Sequence, residues 1–110
     1  MADTFMTPEG HTKFLAKKLF DWQQEGPTGE LQWGALAYIQ KDGGGPDGNH
    51  THESAHVFIV AEGEVRVMIG ETAHRVGKDE CFFVPGGEPH SIWNDRDETA
   101  KVIKLNVKRG

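Results

Sequence analysis

Four of the six histidines in this 110-residue chain have a spacing suited to metal binding. His50, His52 and His56 fall in Asn49-His-Thr-His-Glu-Ser-Ala-His56, and His90 follows Pro85-Gly-Gly-Glu-Pro89. Side chains of an extended chain alternate between faces, so positions 50, 52 and 56, all of one parity, project to the same side. Neutral imidazole is the commonest protein metal ligand, and three on one face with a fourth from elsewhere make a coordination set. Four neutral imidazoles leave a divalent ion its full +2 charge, whereas a carboxylate ligand cancels one unit. Such a site is the stronger Lewis acid and favours anionic ligands. Zn, Cu, Fe and Ni all suit imidazole, and residue types alone do not choose among them.

The segments that must hold these side chains read as short strands. Leu31–Ile39 alternates, with Leu31, Trp33, Ala35, Ala37 and Ile39 on one side. His56–Ala61, Glu64–Ile69, Thr72–Val76, Cys81–Val84, His90–Trp93 and Thr99–Val107 are further strand candidates. Turn chemistry separates them: Glu62-Gly63, Gly70-Glu71, Gly77-Lys-Asp79, Pro85-Gly-Gly87 and Asn94-Asp-Arg-Asp97. Short strands at such spacing indicate an all-β sandwich or barrel. Residues 11–25 fit either a helix, with Leu15, Leu19 and Trp22 on one face, or an edge or arm strand. Gly43-Gly-Gly-Pro46 reads as a flexible loop leading into the first histidine.

Size and composition bound the rest. The chain is long enough for one core, and no linker or repeat divides it. Charged residues make up 26% and hydrophobic ones 36%, an ordinary globular balance. No run approaches the ~20 apolar residues of a membrane span. The start, Met-Ala-Asp-Thr-Phe-Met, lacks a signal peptide's basic and apolar regions. Cys81 stands alone, so no intrachain disulfide forms and a reducing compartment, the cytoplasm, is expected. Net charge is −5 and no basic stripe is present, so neither nucleic acid nor membrane is an expected partner. Lys101, Lys104, Lys108 and Arg109 read as the wet side of a final strand.

The chain order resembles the two motifs of the cupin superfamily, G-x5-H-x-H-x3,4-E-x6-G and G-x5-P-x-G-x2-H-x3-N. Gly44, His50, His52, His56 and Gly63 follow the first; Pro85, Gly87, His90 and Asn94 follow the second. His56 stands where glutamate is usual, as in the four-histidine single-domain cupins. Asp79 stands where the second motif has glycine, and aspartate tolerates left-handed geometry, so a locally altered turn is expected there. The resemblance implies a single-domain double-stranded β-helix, a jelly-roll barrel over residues 31–107 with residues 1–30 as an N-terminal arm or extension. It implies one divalent metal ion on His50, His52, His56 and His90, and adds Mn to the candidate metals. Pairing as a homodimer is also implied.

One rival lies in the same stretch. His52-Glu-Ser-Ala-His56 matches H-E-x-x-H, which needs a helix to present two zinc ligands with glutamate as base. Glycines and a proline precede it and Val57-Phe-Ile-Val60 follows, so a helix is not expected. His11 and His74 read as solvated, and Cys81 as a small core residue. Trp33, Phe58, Val60, Phe82 and Trp93 read as core or pocket wall, and Asn94 as a turn stabiliser. Glu53, Glu88 and Tyr38 are bases by residue type only.

The function expected from the resemblance is a metal-dependent enzyme of oxygenase type acting on a small organic molecule. The alternatives are a non-oxidative isomerase, lyase or cyclase, and a non-catalytic binding or sensing module. Fold alone does not separate the three.

Overall fold

The computed structural model describes residues 5–21, 31–50 and 54–107, and the side chains of 19–21 and 47–50 lie outside that description. Eight strands follow in order: β1 (Thr12–Asp21), β2 (Leu31–His50), β3 (Ala55–Glu62), β4 (Glu64–Ile69), β5 (Thr72–Gly77), β6 (Cys81–Val84), β7 (His90–Trp93) and β8 (Ala100–Val107). No helix occurs among the described residues. Residues 12–21, for which the sequence left helix and strand open, are a strand. His56 sits on β3, so the helix that H-E-x-x-H requires does not form there.

The strands make one sheet in the order β5-β4-β7-β2-β8-β3-β6, with β1 on the flank of β2. Its end strands come back near one another, β5 approaching both β3 and β6, which nearly closes the sheet into a barrel. The strand and turn pattern indicated an all-β sandwich or barrel, and this is the jelly-roll form of it that the resemblance implies. Period-two alternation then decides which side chains face inward. Ala37 and Ile39, Phe58 and Val60, Val65 and Val67, and Ala100 and Val102 are buried within the barrel.

β2 pairs with three neighbours. Its first part, Leu31–Ile39, lies between β1 and β8, and Gly44, Gly45 and His50 then pair with β7. The Gly43–Pro46 stretch is therefore strand, where the sequence suggested a flexible loop. Glycine is needed there for close approach. A Cβ on Gly44, which holds φ at 146°, would run into the carbonyl of Ile92 and the ring of Trp93.

Asn94 locks the crossing of these strands. Its Nδ2 donates to the Ile39 and Glu98 carbonyls at 2.8 and 2.7 Å, and its Oδ1 accepts from the Arg96 amide at 2.8 Å. That matches its reading as a turn stabiliser. Asp79 adopts the left-handed conformation, φ 70°, as expected for a residue in the place of glycine. Cys81 differs from expectation: it is exposed, because it shares parity with outward-facing Phe83 on the end strand β6.

Candidate metal and ligand site

β3 and β7 carry two of the expected ligands into the barrel. His56 and His90 are buried at 1% and 3% exposure, and their rings meet edge to face with centroids 5.2 Å apart. Trp33 and Phe58 flank His56 at ring distances of 6.2 and 6.0 Å. His90 Nδ1 lies 2.9 Å from the Glu88 carbonyl oxygen. A carbonyl only accepts, so Nδ1 carries the proton and the lone pair sits on Nε2. Such a backbone partner is what fixes tautomer and ring direction in metal-binding histidines.

The backbone of His50 pairs directly with that of His90 across β2 and β7. The side chain of His50, all of His52 and Glu53 lie outside the described residues. Among the described residues, no three His, Cys, Asp or Glu side chains gather into a metal-sized group. The donors that are described are of a type that suits a transition metal: two buried imidazoles from β3 and β7, one with the lone pair on Nε2.

The bases named by residue type fare differently. Tyr38 points away from the barrel interior, its ring against Phe5 and under the Lys101 ammonium. Glu88 is exposed and contributes its carbonyl rather than its carboxylate. His74 stacks on Phe82 with ring centroids 4.8 Å apart.

Trp33 and Phe58, which flank His56, also line a cavity of about 300 Å³. Phe14, Ala37, Ile39, Phe58, Ile92 and Val102 form much of its apolar wall. A smaller space of about 30 Å³, lined by His90 with Gly45 and Pro46, shares His11, Phe14, Phe58, Ile92 and Lys104 with it. The sequence missed two of these residues. His11, read as solvated, lines both spaces; its Nδ1 lies 2.9 Å from the Glu9 carbonyl, and its ring contacts Phe14. Lys104, read as the wet side of β8, faces inward between Ala35 of β2 and Phe58 of β3. Parity held the signal: Lys104 is in step with buried Val102 and Asn106, whereas Lys101 is not. Burial pulls the Lys104 ammonium down to about 8.

Residues 36–107 match the Cupin_2 family model, a cupin domain. No curated protein matches the chain. Among solved structures it is similar to the polyketide cyclase RemF from Streptomyces resistomycificus, at 22% identity and TM-score 0.74 over 99% of this chain and 74% of that one. KdgF from a Halomonas species is similar at 15% identity and TM-score 0.70, over 96% and 86% of the two chains. An RmlC-like cupin from Shewanella frigidimarina gives 20% identity and TM-score 0.70 over 96% and 83%. At these identities the likeness is one of fold.

Proposed function

The chain belongs to the cupin family, and from that premise we propose that its barrel is a metal-dependent site for a small organic molecule. One divalent transition-metal ion (Mn, Fe, Ni, Cu or Zn) is held by His50, His52, His56 and His90, and oxygenase-type chemistry is the leading form of the activity. The observation that supports this reading is the buried His56–His90 pair, with the Glu88 carbonyl engaging His90 Nδ1 and leaving the lone pair on Nε2. When bound, the metal would supply Lewis acidity toward a substrate oxygen. The chain itself supplies exclusion and orientation: Phe58, Ile39 and Val102 keep water from the substrate, and the cavity positions it.

A non-oxidative cyclase, isomerase or lyase is the second reading, supported by the fold likeness to a polyketide cyclase. A sensing module is the third. Oxygen uptake that requires both metal and substrate identifies the oxygenase. Product without oxygen uptake identifies the second, and tight binding without product the third. We further propose a cytoplasmic homodimer, in keeping with a lone cysteine and with exposed Phe83 and Leu15 on the outer surface. Light scattering after size exclusion tests the dimer.

A further inference from the structure

We propose that the larger cavity is an anion site that takes a small organic carboxylate with an apolar body, its charged end on Lys104 and its body against Phe14, Ile39, Phe58 and Val102. The proposal deepens the reading of the barrel as a small-molecule site and rests on it, but not on the metal being bound.

Charge selection in the cavity is the first support. The chain has 17 acidic residues against 12 lysines and arginines, yet among the described residues no aspartate or glutamate lines this space. The ionisable groups that do are Lys18, Lys104 and His11. A wall whose described ionisable groups are ammonium and imidazole, with no carboxylate among them, is complementary to an anion.

The setting of Lys104 is the second. Its position on β8, paired with Ala35 and Phe58, directs its side chain inward rather than to solvent. Among the described residues no carboxylate reaches its ammonium, which sits 5.3 Å from the centroid of the Trp33 ring. A ring quadrupole offsets only part of what a cation loses on leaving water, and burial alone lowers the Lys104 pKa. A ligand carboxylate would restore the missing counter-charge. Lys18, opposite Ala35 on β1, brings a second ammonium 5.4 Å from the same ring. Its exposed position puts it where an incoming anion would first be felt.

The size and walls of the space define the rest of the ligand. About 300 Å³ is at the small end of ligand cavities, and the remaining wall is aliphatic and aromatic. Lys104 also lines the smaller space that His90 lines, so a ligand anchored on Lys104 lies next to the space at His90.

The test uses the full chain stripped of metal with chelator, then reloaded with zinc, and titrated calorimetrically with phenylacetate and its neutral isostere phenylacetamide at neutral pH. In the stripped protein the carboxylate should bind about tenfold tighter or more, the scale of one hydrogen bond to a charged group. Lys104→Met should remove that preference, and Lys104→Arg should keep most of it, which separates loss of charge from loss of fold. His56→Ala should leave the preference in place while lowering metal content. Equal binding of acid and amide by the parent would overturn the proposal. So would a preference that appears only with zinc and survives in Lys104→Met, since the metal would then be the anion holder. Failure of every carboxylate from acetate to phenylbutyrate to raise the melting temperature would overturn it too. Each of these results leaves the metal reading standing; loss of that reading shows instead as metal content unaffected by histidine substitution.

Discussion

Lys104 and Trp33 meet across adjoining strands β8 and β2, the ammonium 5.3 Å from the ring centroid on the inner wall of the barrel. The arrangement is unfavourable for the empty fold. A protonated amine loses water there and gains only the ring face in return. Positions that destabilise a fold in this way are commonly the ones a ligand uses.

Lys104→Met should therefore stabilise the protein at neutral pH, by about 1–3 kcal/mol, while weakening carboxylate binding. The sign with pH follows from the depressed value. The folded state prefers the neutral amine, so the penalty is full below about pH 8 and fades as pH rises toward the unfolded value of 10.5. Groups facing the ammonium include Lys18 on β1 and His11 ahead of it, neither of which adds a counter-charge. Denaturant midpoints of parent and variant should converge between pH 8 and 10.5; a variant less stable than the parent at pH 7 would contradict this.

Asn94→Ala should cost about 2–4 kcal/mol. It removes donors to two carbonyls and the acceptor for the Arg96 amide, all at a fully buried residue. Urea unfolding of the folded variant measures it, and a loss below 1 kcal/mol on the same scale would mean that water replaces the side chain.

Gly44 and Gly70 offer a matched pair. Alanine at Gly44 meets both a left-handed φ and the β7 backbone, so the loss should be about 2–4 kcal/mol. At Gly70, φ 58°, nothing stands near the new methyl, and the loss should be about 1–2 kcal/mol. Equal losses would show that close approach of β2 to β7 is not what Gly44 provides.

On the outer surface, the Arg66 guanidinium holds the Asp95 carboxyl below its ordinary range through a 2.8 Å hydrogen bond. A depressed carboxyl stabilises the fold above the unfolded value near 3.8, and that part is lost as pH falls through the folded one. Both groups are partly solvated, so Asp95→Asn should cost less than about 1 kcal/mol at pH 7. The difference from the parent should shrink below pH 3.8 in acid titrations of stability.

Much of the barrel was legible because one-sided burial imposes period-two alternation, and turn residues mark the strand ends. Asp79 was legible for a local reason, since few other side chains tolerate its φ. Gly43–Pro46 was not, because the same glycines that permit a loop also permit two strands to approach closely, and only the β2–β7 pairing distinguishes them. Cys81 misled because an apolar run at a barrel end strand need not have both faces covered. Lys104 was hidden by residue type: a lysine reads as solvent-facing unless strand parity is allowed to outweigh it. Of the histidines, the resemblance to the two cupin motifs implied one interior for His56 and His90, as the structure has them. His11 had no signal in the sequence, because its place depends on β1 folding along β2.

Metal content is the most direct measurement for the proposed site. Protein purified without an affinity tag should carry close to one divalent transition-metal ion per chain by elemental analysis. His56→Ala and His90→Ala should each lower that content and the melting temperature together, because an ion bound only by the folded state stabilises it by mass action. Chelator should lower the melting temperature of the parent and leave that of the double variant unchanged. Metal content and melting temperature that stay the same in both histidine variants would contradict the account.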